Sequence, residues 1–331
     1  MKKPFVIILS VVAGAVVLIF SLFLYGRFSM MSDMRLEHPE IPLGPLPLSP
    51  DNLVVVSPGM PFRIDTGSSV NTISPEYIAR LRKLGFEVDS STVLMLVHSA
   101  LDEYRVVTKR YRVSLPVYNY DINVSADGKV LSRVDSTNII NKVHNVDFVP
   151  VSHPGEMPRM GRPMLAKFKV EYDYRLRSLL FHRGIPAQYY EFCDIKTGPS
   201  LLSNPERYID MTVNGRTRSF YMNSSMPYVA VKMPYSEHPA VNGHSIYNDS
   251  ISSVYGKFKA VIDHETWLEW GNRAGNTISS YVDYGGYPYA VNLFNFLTQN
   301  AVIDLENNKV YLWDYSPKNH QARESDAFAI L

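Results

Sequence analysis

Residues 62–74 read FRIDTGSSVNTIS. An acidic residue followed by Thr, Gly and two Ser has the composition of a surface turn. Its flanks do not: Phe62 and Ile64 before it, and Val70 and Ile73 after it, are apolar residues of the kind that end one strand and begin the next inside a core. The turn at Asp65 is therefore expected between two core strands.

Length and composition limit what that core can be. The chain has 331 residues, which suggests two lobes at roughly 150 residues per domain. The hydrophobic fraction of 46% is ample for burial, and 22 Tyr and 22 Pro lean toward strands and turns. With 33 Lys and Arg against 32 Asp and Glu, there is no electrostatic footprint for nucleic acid. The single cysteine, Cys193, excludes an intrachain disulfide. The expected fold is all-β.

At the N-terminus, residues 4–25 carry no charge, and about 20 apolar residues at 1.5 Å rise span a bilayer core. A secretory signal has a shorter apolar run, so the length favours a retained anchor, although Ala13 and Ala15 leave cleavage open. Lys2 and Lys3 precede the run, placing the N-terminus in the cytoplasm and the rest of the chain outside it, as a single-pass protein with extracytoplasmic lobes. Residues 37–52 then hold five prolines in sixteen positions, which reads as a semi-rigid spacer with the folded region beginning near Leu53. The expected organisation is a membrane segment 1–27, a proline-rich linker 28–52, a first lobe 53–185, a connection 186–204, a second lobe 205–315 and a tail 316–331.

The chain repeats itself. VEYDYRLRSLLF (170–181) and AVIDLENNKVYL (301–312) are each an apolar strand ending in Asp, a polar turn and a second apolar strand, with Asp173 and Asp304 in matching places. Upstream, NVDFVPV (145–151) matches YVDYGGY (281–287), setting Asp147 opposite Asp283. RMGRPMLAKF (159–168) likewise matches AVNLFNFLTQ (290–299). In the second lobe VNGR is a hairpin turn, and FYMNSSMPYV then falls on FRIDTGSSVNTI, with Asn223 where Asp65 stands.

A strand, Asp-Thr-Gly-Ser, a second strand, a flap-like hairpin and an apolar pair with Gly before a short helix, twice over, resembles the aspartic peptidases of the pepsin and retropepsin superfamily. The similarity covers roughly residues 53–315 and is closest to bacterial retropepsin-like proteins. It implies a bilobal acid-protease fold, in effect a double retropepsin-like one behind an N-terminal transmembrane helix. It also implies a cleft for a peptide or protein substrate and no cofactor. In that chemistry two carboxylates about 3 Å apart share one proton and activate a water against a peptide carbonyl. The resemblance assigns catalysis to Asp65. Thr66 would brace the two loops, Gly67 would allow close approach, and Ser68 would donate to the outer oxygen of Asp65.

The second lobe departs from the pattern. Asn223-Ser224-Ser225 replaces the triplet: Ser224 keeps a hydroxyl, but Asn223 can neither share a proton nor act as a base, and Asn292 stands where Gly161 does. Two readings follow. One is an endopeptidase in which Asp65 activates water with a second Asp from a homodimer partner; the other is an inactive pseudoprotease that binds an extended peptide or protein in its cleft. Asp263 and Asp283 are weak substitutes for the missing carboxylate, since the first lacks a glycine turn and the second aligns with an ordinary strand residue. His98, His144, His153 and His264 have no metal-ligand spacing, so no metal is implied.

Overall fold

The computed structural model describes residues 3–57, 60–98, 104–124, 130–151, 156–199, 204–226, 229–238, 246–253, 256–283 and 286–314. A long helix, α1 (Lys3–Ser29), is followed by β1 (Arg35–Leu36) and β2 (Leu43–Pro47). The first lobe then runs β3 (Leu53–Ser57), β4 (Met60–Ile64), β5 (Thr72–Ile73), α2 (Pro75–Lys83), β6 (Val88–His98), β7 (Tyr104–Val124), β8 (Val130–Pro150), β9 (Arg159–Met160), α3 (Arg162–Leu165), β10 (Lys169–Asp173) and β11 (Ser178–His182). Two connecting strands, β12 (Tyr189–Asp194) and β13 (Lys196–Thr197), lead to the second lobe. There the same series returns as β14 (Arg207–Val213), β15 (Arg216–Met222), β16 (Val231–Met233), β17 (Ile246–Ser253), β18 (Gly256–Trp270), β19 (Arg273–Tyr281), β20 (Ala290–Val291), α4 (Leu293–Phe296), β21 (Ala301–Asp304) and β22 (Lys309–Trp313).

The fold is all-β and bilobal, with one strand plan carried twice. Local sequence accounts for its start: in β4, Met60, Phe62 and Ile64 point into the core, with Pro61 and Arg63 between them. Past the turn, Ser74 caps α2 by accepting the Tyr77 N–H at 3.4 Å, Pro75 sits in its first turn, and Ile78 and Leu81 are its buried face.

Tertiary pairing then gives both lobes one topology. In each, the strand entering the central turn pairs in parallel with the short strand before a helix: Ile64 with Met160, and Met222 with Val291. The strand leaving the turn pairs in parallel with the end of a long hairpin: Ile73 with Pro150, and Met233 with Tyr281. This register corrects one expected correspondence. Asp147 lies three residues before Pro150, so its counterpart three before Tyr281 is Ile278, not Asp283. Asp147 is fully buried, whereas Asp283 is exposed and accepts the Tyr235 N–H at 3.0 Å. Parallel pairing sets this register between distant segments, and comparing the segments by residue type misses it by five positions.

A six-stranded sheet joins the lobes in the order β12-β22-β21-β10-β11-β2. At its centre β10 and β21 pair antiparallel, Lys169 opposite Asp304, and the Lys169 Nζ bonds Asp304 Oδ1 at 2.8 Å across the junction. Asp173 and Asp304 end their strands by accepting turn N–H groups, from Arg175 at 2.9 Å and from Asn307 at 2.9 Å.

The proline-rich segment is not a free spacer. Its central residues form β2, the edge of this sheet, with Leu46 paired to Leu179 and Leu43, Leu46 and Leu48 buried. An edge strand leaves some N–H groups unpaired, so prolines are tolerated there, and three buried leucines add the burial that a spacer lacks. The end of α1 is likewise built in. Met30 and Met31 are buried, and the Met31 N–H donates to Asp147 Oδ2 at 2.9 Å.

Candidate active site

The turn after β4 places the Asp65 carboxyl, 2% exposed, at the junction of the lobes. Its own N–H donates to Met160 O at 3.0 Å, and its Oδ1 accepts the Gly67 N–H at 2.9 Å. The second-lobe turn is directly opposite, within the same chain. The Ser224 N–H donates to Thr66 Oγ1 at 3.0 Å, and the Thr66 N–H donates to Ser224 Oγ at 2.9 Å. The Ser224 hydroxyl then donates onward to Ile64 O at 2.8 Å. These bonds between Thr66 and Ser224 tie the two turns together.

The turns approach closely at Gly67: a Cβ there would lie 3.1 Å from both Asn223 Cγ and Asn223 Oδ1, and as far from Asp65 Oδ1. Asn223 therefore faces the Asp65 turn. Its Oδ1 accepts the Ser225 N–H at 3.0 Å and the Ser225 hydroxyl at 2.6 Å, the first repeating the bond Gly67 makes to Asp65.

Two features differ from the expected site. The Ser68 hydroxyl donates to Val70 O at 2.6 Å and so does not serve the outer oxygen of Asp65. That oxygen, Oδ2, instead accepts Arg159 Nη1 at 2.8 Å in an ion pair whose arginine side chain is 21% exposed. Arg159 also pairs with Glu156. Burial works against the Arg159 charge, but Asp65 and then Glu156 outweigh it, and the guanidinium pKa ends above its ordinary value. Arg159 is a permanent cation on the outer oxygen of Asp65.

A second arginine holds the turn from behind. Arg162, 3% exposed, donates through Nη1 to Gly67 O at 2.8 Å, Thr66 O at 3.1 Å and the Tyr221 hydroxyl at 3.1 Å. The Tyr221 hydroxyl also bonds Gly67 O, and its ring stacks on Tyr287 at 3.8 Å. Burial pushes the Tyr221 pKa up, keeping the phenol protonated as a donor.

Sequence reasoning missed Arg159, Arg162 and Tyr221. A signal for the arginines was present: in RMGRP they flank Met160-Gly161, and Arg159 occupies the first slot of an apolar pair that reads Ala290-Val291 in the second lobe. Neither proposed substitute carboxylate reaches the site. Asp263 is bound inside the second lobe by the Glu265 N–H at 2.9 Å and the Thr266 hydroxyl at 2.8 Å. Asp283 caps the turn at Tyr235. The flap-like hairpin is β6 and β7; its tip, residues 99–103, and the SADGK turn at 125–129 lie outside the described residues.

Gly161 packs more tightly than Gly67. A Cβ there would meet Val70 O at 2.2 Å and Val70 C at 2.7 Å, backbone atoms that cannot rotate away. Gly161→Ala is expected to destabilise the protein by about 1–3 kcal/mol, measured as a shift in urea midpoint at unchanged slope.

No protein-family model and no curated protein matches the chain. Three solved structures are similar over most of their length. One is described as edgp, with 10% identity and a TM-score of 0.43 over 83% of this chain and 94% of that one. Basic 7S globulin from soybean has 10% identity and a TM-score of 0.38 over 87% and 96%. Conglutin gamma, a basic 7S globulin from lupine seeds, has 12% identity and a TM-score of 0.38 over 79% and 90%.

Proposed function

We propose that the chain is a membrane-anchored, catalytically silent relative of the pepsin and retropepsin superfamily, whose inter-lobe cleft binds an extended polypeptide. The observation that carries this reading is the Arg159 ion pair on Asp65 Oδ2 with Asn223 across the junction. Acid-base hydrolysis by this architecture needs a carboxylate that takes a proton from water and a partner that gives one. The Asn223 amide can do neither, and the outer oxygen of Asp65 is committed to a cation.

The dimeric endopeptidase is less well supported. Thr66 bonds Ser224 of its own chain, and those are the groups two first lobes would need in order to pair with each other. Retention of α1 as an anchor is supported by its apolar length and by Gly26 in its last turns, which is buried against β6 of the first lobe.

Full-length protein in lipid nanodiscs, given a quenched fluorescent peptide library between pH 3 and pH 7, is expected to release no more product than Asp65→Ala. Fluorescence anisotropy should still register binding of extended peptides. Cleavage by the wild type that disappears in Asp65→Ala would reverse this reading.

A further inference from the structure

The end of α1 is fastened to the flap-like hairpin in a fixed direction. At the helix terminus, Arg110 Nη1 bonds both the carbonyl and hydroxyl oxygens of Ser29 at 3.2 Å, while its Nε bonds Ser91 Oγ at 3.1 Å. One turn back, Gly26 lies so close to β6 that a Cβ would meet Leu94 O at 2.1 Å and Met95 Cγ at 2.8 Å. Moving along α1 toward its apolar part therefore means moving along β6 from Ser91 to Leu94, toward the hairpin tip. From Leu94 the strand continues to His98, about 13 Å further at 3.3 Å per residue.

This junction is packed. Met30, at the helix exit, shares a buried cluster with Val93, Met95 and Val97 of β6, Val107 of β7, Val149 of β8 and Val70 beyond the Asp65 turn. Helix exit, hairpin and the segment beyond the site turn thus share one packed cluster. Strand alternation sends the next pair to the other face: Leu96 opposite Val106, with Val106 55% exposed. On the helix, in the turns around Gly26, Leu22, Tyr25 and Phe28 are 44%, 68% and 68% exposed, a set suited to the boundary of a bilayer.

We infer that the β6–β7 hairpin is a second membrane contact, its Leu96–Val106 pair entering the lipid interface at the level of the end of α1. The inference rests on the proposed anchor, and commits the apolar pair to lipid because β6 runs along α1 toward its apolar part and carries the pair past the level of Gly26. Interfacial groups sit 5–10 Å deep, about the scale of a strand end.

The test uses the full chain in vesicles of phosphatidylcholine and phosphatidylglycerol. In a Cys193→Ser background, Val106→Cys, Leu96→Cys, Val16→Cys and Thr217→Cys are each labelled with the fluorophore NBD and challenged with doxyl-labelled lipids. Position 16 reports the helix, and position 217, exposed on β15, reports a lobe surface away from lipid. A thermal melt like that of the wild type checks each labelled protein, and Leu96→Cys serves if Val106→Cys fails it. Quenching at 106 or 96 is expected to exceed that at 217 by at least about twofold, as for an interfacial group. Quenching at 16 with none at 106 and 96 would overturn the hairpin contact and leave the anchor standing. No quenching at 16 would overturn both. An NBD signal at 106 that responds to added peptide but not to doxyl lipid would assign the pair to the cleft and likewise overturn the contact. Peptide binding itself is read separately by anisotropy, so failure there is distinguishable from either result.

Discussion

Asp65→Asn is expected to lower the stability of the folded protein by about 3 kcal/mol, the low end of the cost of removing one member of a buried ion pair. The substitution is nearly isosteric, and the Asn oxygen can still accept the Gly67 N–H that now reaches Asp65 Oδ1 at 2.9 Å. What disappears is the charge facing Arg159. Glu156 remains as a partner for that guanidinium, which keeps the cost at the low end. A carboxylate kept only for hydrolysis would be expendable to the fold; this one is expected to be structural. Urea unfolding of wild type, Asp65→Asn, Arg159→Met and the double variant forms a cycle that isolates the pair. The double variant should be less destabilised than the sum of the singles. Strict additivity, or an Asp65→Asn protein as stable as wild type, would show that the pair does nothing for the fold.

Peptidase activity should emerge only when three departures are reversed together. Asn223→Asp supplies the second carboxylate opposite Asp65, where two like charges in close contact would be driven to share a proton. Ser225→Gly removes the hydroxyl that now bonds Asn223 Oδ1 at 2.6 Å, matching the Gly67 arrangement in the first lobe. Arg159→Met frees Asp65 Oδ2 while keeping an apolar stem in place. The combined variant is expected to cleave peptides at acidic pH at least ~100-fold faster than Asn223→Asp alone, the lower range for a working general acid-base pair. Asn223→Asp alone should remain inert, because Arg159 still holds its partner. If that single variant cleaves as fast as the triple one, Arg159 is not the block.

Local patterns made the two-lobe plan legible. Alternating apolar residues around the turn at Asp65, the Ser74 cap, and the paired hairpins ending at Asp173 and Asp304 all act within a few residues of chain, where composition determines conformation. The replacement of the second Asp by Asn223 was visible for the same reason. The apolar run that became α1 was set by composition and length alone.

Contacts between distant segments decided the rest. Arg159 reaches Asp65 across 94 positions, and Thr66 meets Ser224 across 158. Neither distance leaves a periodic trace in the chain. The same holds for the parallel register that sets Ile278, not Asp283, opposite Asp147, and for the proline-rich residues 43–47, which read as a spacer until β11 supplied an edge to pair with. The sequence by itself determined that a carboxylate would sit on a tight turn between core strands; tertiary structure decided that this carboxylate would face an amide and a half-buried guanidinium, because strand pairing and close packing, not residue order, choose a buried group's neighbours.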